Sequence, residues 1–106
     1  MSFVTVSELP SKEIAPGFHG RFIHMDHLTI AHWEVKAGSS IPVHQHIHEM
    51  AVNVLEGKLE LTINNETRVL TAGMVGVIPS QVPHMAKALT DCRLIDVFSP
   101  VREDYR

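Results

Sequence analysis

The chain has 106 residues with nine Lys and Arg, twelve Asp and Glu, and a formal net charge of −3 when its histidines are neutral. This length favours a single domain, and the scattered basic residues argue against a nucleic-acid partner. No apolar stretch approaches the roughly 18 residues of a membrane span, and the N-terminus has no signal-peptide pattern. We therefore expect a cytoplasmic protein without a membrane partner. The single cysteine, Cys92, is expected to be a buried, inert thiol.

The chain opens with residues 1–27, which are predicted to form an N-terminal arm and the first strand. A free sheet edge there would invite pairing with a second copy, so a homodimer is expected. From residue 28 onward, short β-type runs alternate with turn residues, and no window shows a sustained helical stripe. Strands are predicted at residues 28–36, 43–46, 50–55, 58–63, 66–70, 75–78, 84–89 and 92–98. Asn64 and Asn65 predict a two-residue hairpin turn. The spacing favours an all-β sandwich or rolled barrel.

Two histidine-containing segments lie far apart in the sequence. Residues 38–50 read Gly-Ser-Ser-Ile-Pro-Val-His-Gln-His-Ile-His-Glu-Met, and in an extended strand His44 and His46 would point to the same face. Residues 73–84 read Gly-Met-Val-Gly-Val-Ile-Pro-Ser-Gln-Val-Pro-His and supply a third imidazole, that of His84. Three imidazoles that leave coordination positions open are typical of a catalytic site for a divalent transition metal ion such as Ni, Zn, Mn, Fe or Cu.

Two residues compete for a fourth position at this site. Met50 has a thioether, which is a weak ligand for a hard divalent ion, so we favour a role as a hydrophobic wall of the pocket. His48 has the same parity as His46 if the strand continues, which makes it a possible fourth ligand. Otherwise His48 is a loop residue.

The C-terminal segment carries charged residues in and just after the last predicted strand. Asp96 and Phe98 share a face of this strand, so both can project into a barrel that holds a metal. A carboxylate and an aromatic wall beside a metal would form a substrate pocket. The alternative is an edge strand with a solvated Asp and a polar tail.

The two histidine motifs resemble the conserved motifs of the cupin superfamily. This resemblance implies a single double-stranded β-helix barrel over residues 28–106, with residues 1–27 as its arm and first strand, in one domain overall. The tail Asp-Val-Phe-Ser-Pro-Val-Arg-Glu-Asp at residues 96–104 is similar to that of the pectin-degradation, KdgF-type cupins, which linearise unsaturated uronates. In that family the counterparts of three residues hold the metal: His44, His46 and His84.

The same resemblance implies a substrate and a set of roles. Counterparts of Asp96, Phe98 and Arg102 line the substrate pocket, whereas the family's Gln ligand is replaced here by Met50. The implied substrate is a sugar acid, a 4,5-unsaturated galacturonate or mannuronate, and the product is the linear 4-deoxy-5-keto uronate. We hypothesise that Asp96 moves the proton, that Arg102 binds the carboxylate, and that Phe98 and Met50 keep the pocket dry.

Two other functions remain open at the level of sequence. Three histidines with vacant positions also suit Fe(II) or Cu and dioxygen, so a cupin dioxygenase or another metal-dependent oxidation is one alternative. A cupin that binds a small molecule without catalysis is the other.

Overall fold

The computed structural model describes residues 2–106, and strands account for most of its regular structure. The strands are β1 (Lys12–Ala15), β2 (Phe18–His24), β3 (Thr29–Val35), β4 (Ser40–His44), β5 (Glu49–Glu56), β6 (Leu59–Ile63), β7 (Glu66–Leu70), β8 (Val75–Ile78), β9 (His84–Ala88) and β10 (Cys92–Ser99). Short 3-10 turns lie at Val6–Glu8 and Glu103–Tyr105. No helix within residues 2–106 is long and apolar enough to cross a membrane.

The strands form two antiparallel sheets that enclose the core. One sheet has six strands in the order β1-β2-β3-β10-β5-β8, and the other has four in the order β4-β9-β6-β7. From β3 to β6 and again from β7 to β10, each connection passes from one sheet to the other, which is the rolled arrangement of a jelly roll. The predicted all-β, double-stranded β-helix barrel is thereby confirmed.

Strand alternation decides which side chains enter the barrel. In β10, Cys92, Leu94, Asp96 and Phe98 are buried, whereas Arg93 between them is exposed. Because the side chains of a strand point to its two faces in turn, this strand delivers four residues to the interior, one of which is a carboxylate. Each fully buried apolar side chain contributes about 1.5–3 kcal/mol relative to an exposed one.

The N-terminal segment is more ordered than the sequence predicts. One strand is expected within residues 1–27, but β1 and β2 form a hairpin at the edge of the six-stranded sheet. The hairpin turns at Gly17, whose φ of 83° favours glycine. A side chain at this position would also collide with the hydroxyl of Ser39. Residue 1 lies outside the described residues.

Of two local predictions, one is confirmed and the other has the wrong strand bounds. The hairpin of β6 and β7 is confirmed: Ile63 pairs with Glu66, and Asn64 in the turn has a φ of 57°. The strand predicted at residues 43–46 is wrong in its bounds, because β4 ends at His44. His46 and His48 therefore lie between β4 and β5.

Candidate metal centre and adjoining pocket

Three imidazoles from two adjacent strands and a loop meet at one end of the barrel. His44 in β4 and His84 in β9 are cross-strand partners, and their ring centroids are 4.1 Å apart. The ring of His46 lies 4.9 Å from that of His84 and 5.6 Å from that of His44. The backbone N–H of Gln81 donates a hydrogen bond of 2.8 Å to the carbonyl of His46, and this bond holds the loop that carries His46. The strand parity argument for His46 fails, yet the ring reaches the same point.

The hydrogen bonds of these rings leave one nitrogen of each free for a metal. The Nδ1 atoms of His44, His46 and His84 lie 2.9, 3.0 and 2.8 Å from the backbone carbonyls of Pro42, His48 and Val82. A carbonyl only accepts, so each Nδ1 carries the proton and each Nε2 keeps its lone pair. The Nε2 atoms of His46 and His84 are buried without a hydrogen-bond partner. The three rings each offer a ligand atom within 4.8 Å of the others, which fits one ion.

Burial also keeps two of these rings neutral. It lowers the pKa of His46 to about 4, and the positive charge of Arg102 acts in the same direction. Burial likewise lowers the pKa of His84. A metal binds only neutral imidazole, so at neutral pH these rings need not lose a proton to bind.

The two candidates for a fourth ligand are placed differently. Among the described residues, the group that could hold an ion contains the three histidines and not His48. The Nε2 atom of His48 is instead 3.2 Å from the carbonyl of Val101. Met50 is buried beside Phe98, its cross-strand partner, and belongs to the hydrophobic core.

Asp96 is a buried carboxyl with one satisfied oxygen. Its Oδ2 accepts a hydrogen bond of 3.0 Å from the indole N–H of Trp33, and its Oδ1 has no partner. Burial raises the pKa of Asp96 to about 7, although the bond from Trp33 and the charge of Arg102 oppose this rise. The carboxyl can therefore hold or release a proton near neutral pH. It is not the solvated edge residue of the alternative interpretation.

Arg102 is buried between two aromatic rings. Its guanidinium carbon lies 4.7 Å from the ring centroid of Phe98 and 4.0 Å from that of Tyr105. Its Nε and Nη2 atoms donate bonds of 3.0 and 2.8 Å to the carboxylate of Asp104. Asp104 thus orients the guanidinium, and a substrate anion would use Nη1 or displace Asp104 from Nη2.

One cavity brings these groups together. Its lining includes all the residues to which the sequence assigns metal, catalytic or substrate-binding roles, apart from the possible ligand His48: His44, His46, His84, Met50, Asp96, Phe98 and Arg102. Aliphatic side chains complete the wall deeper in the barrel. The arrangement could bind a small anion beside a metal in a largely apolar space.

Two lining residues escape the sequence analysis. Trp33 binds Asp96 from the neighbouring strand, and Tyr105 stacks on Arg102 from the C-terminal 3-10 turn. The alternation of β3 places Trp33 on the inward face, but only the register of β3 against β10 brings it near Asp96. Tyr105 directly follows the recognised tail, which is the signal that could have found it.

Known structures with the same fold include close matches over the whole chain. An RmlC-like cupin from Shewanella frigidimarina NCIMB 400 is 29% identical, with a TM-score of 0.94 and coverage of 100% of this chain and 96% of that chain. KdgF from Halomonas sp. is 30% identical, with a TM-score of 0.93 and coverage of 100% and 99%. Both matches span essentially the full length of the two chains compared.

A more distant match shows the fold alone. Oxalate decarboxylase of Bacillus subtilis, which has Mn(II) centres, is 19% identical with a TM-score of 0.80, and the match covers 92% of this chain and 29% of that chain. No curated protein matches the sequence significantly. The cupin-domain family model matches residues 31–98, more than half of the chain. With the barrel, the histidine cluster and the resemblance to KdgF, this match establishes that the chain belongs to the cupin family.

Proposed function

We propose that this cupin is a metal-dependent enzyme that opens 4,5-unsaturated uronates and tautomerises them to the linear 4-deoxy-5-keto uronate. One observation carries the proposal: the three-histidine cluster, Asp96 and Arg102 line the same cavity. Similarity to KdgF at 30% identity over the whole chain supports it further. The substrate would be a monomeric sugar acid.

The reaction moves one proton and consumes nothing. Ring opening breaks the bond between C1 and the ring oxygen, the anomeric hydroxyl loses its proton, and the ring oxygen gains one to give an enol. Tautomerisation then adds a proton to C4, and the enol oxygen loses its own proton to become the 5-keto group. The net change is a proton transferred from the anomeric hydroxyl to C4. A single group that accepts and then donates a proton is sufficient for this change.

Asp96 fits this role. The carboxyl of Asp96 lines the cavity, and its Oδ1 is buried without a hydrogen-bond partner. Burial raises the pKa of this carboxyl to about 7. Such a carboxyl is present in both protonation states at neutral pH, which suits a general base that later acts as a general acid. Trp33 fixes Oδ2, so that Oδ1 is the oxygen left for the substrate.

Arg102 would bind the uronate carboxylate. Its guanidinium is held in place by Asp104 and stacked between Phe98 and Tyr105. A buried, oriented guanidinium binds a carboxylate more strongly than a solvated one, because both partners have lost competing water. Phe98, with Met50 beside it, gives an apolar surface for the face of the sugar and limits the access of water.

The histidine cluster would hold a divalent transition metal ion through its Nε2 atoms. A bound ion supplies Lewis-acid polarisation of an oxygen and thereby favours loss of its proton. The three backbone carbonyls fix the tautomers of His44, His46 and His84, so that each ring keeps an unprotonated Nε2 for the ion.

The direct test follows the ultraviolet absorbance of a 4,5-unsaturated galacturonate, whose conjugated double bond disappears on conversion. The purified, metal-loaded protein is expected to accelerate this loss above the spontaneous rate, and a chelator is expected to abolish the acceleration. Arg102→Ala should raise the Michaelis constant, because it removes the carboxylate ligand. Arg106→Ala is the matched control, since that arginine lies in the same tail but is exposed.

Two outcomes would overturn the proposal. If the metal-loaded protein does not accelerate the conversion of galacturonate- or mannuronate-derived substrates above the spontaneous rate, the assigned reaction is wrong. If it consumes dioxygen with an aromatic or diketone substrate instead, the oxidative alternative takes its place. An unchanged Michaelis constant in Arg102→Ala would remove Arg102 from the site.

A further inference from the structure

One peptide bond in the C-terminal tail is held from both sides by buried side chains. The carbonyl of Val101 lies 3.2 Å from the Nε2 atom of His48, and the N–H of Arg102 donates a hydrogen bond of 2.9 Å to the hydroxyl of Thr29. Thr29 is fully buried, and His48 is 9% exposed. Because this carbonyl and this N–H belong to the same planar peptide unit, the two bonds fix its position and its orientation. The backbone from which the Arg102 side chain extends is therefore held against the barrel.

His48 also contacts the candidate metal centre. Its backbone carbonyl accepts the hydrogen bond of 3.0 Å from the Nδ1 of His46, and the ring centroids of these two histidines are 5.3 Å apart. The ring of His48 also lies edge-on to that of Phe98, with 6.3 Å between the centroids. A single residue thus binds a predicted metal ligand through its backbone and the peptide of Arg102 through its side chain.

The partners of the guanidinium itself have a different effect. Asp104 accepts its hydrogen bonds and Tyr105 stacks on it, but both residues belong to the same short tail as Arg102, and the carboxylate of Asp104 is exposed. These contacts orient the guanidinium relative to the tail. His48 and Thr29 lie in the β4–β5 loop and in β3, 53 and 73 residues away from the residues that they bind. Their bonds therefore fix the tail relative to the barrel.

The imidazole of His48 contributes geometry more than stability. A carbonyl only accepts, so the Nε2 of His48 carries the proton and donates it to the carbonyl of Val101 in a hydrogen bond. The Nδ1 atom is then an acceptor, and it is buried without a hydrogen-bond partner among residues 2–106. The stability gained from the one bond is offset by this unpaired atom. What the ring supplies is a directed N–H that determines where the peptide of Arg102 lies.

We propose that His48 is a positioning residue for substrate binding, which holds Arg102 at a fixed distance from the histidines that would bind the ion. This role rests on the proposed function, in which the ion binds an oxygen of the uronate and Arg102 binds its carboxylate. A substrate with two points of attachment binds well only when both are in place, and a displacement of about 1 Å at one of them weakens the complex. Loss of the His48 side chain would free the tail to shift but would keep the backbone carbonyl that binds His46.

The experiment compares His48→Phe with His48→Gln in the metal-loaded protein. Phe keeps an aromatic ring and removes the N–H, whereas the amide of Gln can place a donor near the position of Nε2. His48→Phe should raise the Michaelis constant for the unsaturated uronate by about tenfold, and likewise the dissociation constant for saturated galacturonate measured by calorimetry. The kcat and the metal content should stay within about twofold of the wild type, and His48→Gln should restore most of the affinity. His27→Phe, at an exposed histidine, is the matched control.

Two further variants test whether His48 acts through Arg102. In the double variant of His48→Phe with Arg102→Ala, the Michaelis constant should equal that of Arg102→Ala alone, because a positioning residue has no effect once the group that it positions is gone. Thr29→Val removes the hydroxyl on the other side of the same peptide and should also raise the Michaelis constant. This variant decides the matter if circular dichroism shows that His48→Phe folds poorly.

Four results distinguish this role from the proposed function. A wild type that binds galacturonate, about tenfold more tightly than His48→Phe does, but does not convert the unsaturated uronate would overturn the proposed function and support the role of His48. Unchanged constants in folded His48→Phe and Thr29→Val would overturn the role of His48 alone. Loss of metal in His48→Phe, or effects of His48→Phe and Arg102→Ala that multiply, would also overturn it. A wild type that neither binds galacturonate nor converts the uronate would overturn both.

Discussion

The two ends of the barrel interior are built by the same strands from different residues. At one end β10 contributes Cys92, which lies opposite Val35 and belongs to the hydrophobic core. Farther along, the same strand contributes Asp96 and Phe98, and β9 contributes His84. We call these the packed end and the open end. Strand alternation sends residues inward at both ends, but within residues 2–106 the buried side-chain N and O atoms without a hydrogen-bond partner all lie at the open end.

Residues at the packed end stabilise the fold, whereas those at the open end are suited to binding a ligand. Apolar burial at the packed end stabilises the fold, because every side chain there replaces contact with water by contact with protein. At the open end, the Nε2 atoms of His46 and His84, the Nδ1 of His48 and the Oδ1 of Asp96 are buried without hydrogen bonds, which costs stability. A fold retains such atoms where a ligand satisfies them. Substitutions at the two ends should therefore change different measured quantities.

The largest effect is expected for His46→Ala at the open end. Removing one of three imidazoles should reduce the bound metal from one ion per chain to a small fraction. Turnover of the unsaturated uronate should fall by about 1,000-fold or more, equivalent to about 4 kcal/mol. Elemental analysis and the absorbance assay measure the two quantities. His27→Ala is the control, since that histidine lies outside the cluster; equal metal content in His46→Ala and the wild type would contradict the site.

The next effect concerns Asp96→Asn and pH in the metal-free protein. The folded pKa of Asp96, about 7, exceeds the ordinary value of 3.8, so between these values the folded state keeps a proton that the unfolded state releases. Its contribution to stability is therefore complete below pH 4 and is lost as the pH rises to 7. The unfolding free energy of Asp96→Asn relative to wild type should rise by about 2 kcal/mol from pH 5 to 7.

Asp104→Asn is a control for which the opposite pH dependence of the unfolding free energy is expected. Asp104 is more exposed, and its hydrogen bonds with Arg102 lower its pKa. The stability it contributes is present above its ordinary pKa and is lost as the pH falls, so Asp104→Asn should lose relative stability as the pH rises. Denaturant titrations at several pH values measure both variants. A flat difference for Asp96→Asn would show that the carboxyl is ionised throughout.

At the packed end, Val54→Ala should lower the unfolding free energy by about 2 kcal/mol, because it removes two buried methyl groups and leaves a cavity. Val54 is 2% exposed and does not line the cavity. Metal content and the Michaelis constant should stay unchanged. Val69→Ala, at an exposed position, is the control and should cost little. A loss of metal in Val54→Ala would mean that the two ends are not independent.

The smallest effect is expected for Trp33→Phe, which keeps an aromatic ring and removes the N–H bonded to Asp96. This bond lowers the pKa of Asp96, so its loss should shift the acidic limb of the kcat/KM profile to higher pH. Turnover should fall by less than about tenfold, corresponding to about 1 kcal/mol for one hydrogen bond. If turnover falls but the pH profile does not move, Trp33 supports the fold and does not position Asp96.

The sequence predicted the architecture and most of the open end for a simple physical reason. Alternation and turn residues are local, so strands and the hairpin at Asn64 could be predicted without tertiary information. The parity of Asp96 and Phe98 in β10 put both on one face of the strand, but it left open whether that face lies inside the barrel, where the structure has both residues buried. The motif of spaced histidines identified His44 and His84, which are cross-strand partners.

What the sequence could not predict depends on packing between distant segments. The bounds of β4 were wrong because a loop, held by the bond from Gln81, brings His46 to the metal centre. A second strand in the N-terminal segment was missed because β1 is mostly exposed and shows no alternation of apolar and polar residues. The bond from Trp33 to Asp96 depends on the register of two strands 63 residues apart. The hydrogen bond from the guanidinium of Arg102 to Asp104 could be found only in the three-dimensional structure.

Three imidazole nitrogens are proposed to hold one ion in the cavity shared with Asp96 and Arg102. X-ray absorption fine structure of the purified protein, recorded at the edge of the metal it contains, tests this most directly. We expect one ion per chain with three imidazole nitrogens at about 2.0–2.2 Å, and loss of one of these nitrogens in His84→Ala. A spectrum without imidazole scattering, or one unchanged in His84→Ala, would contradict it.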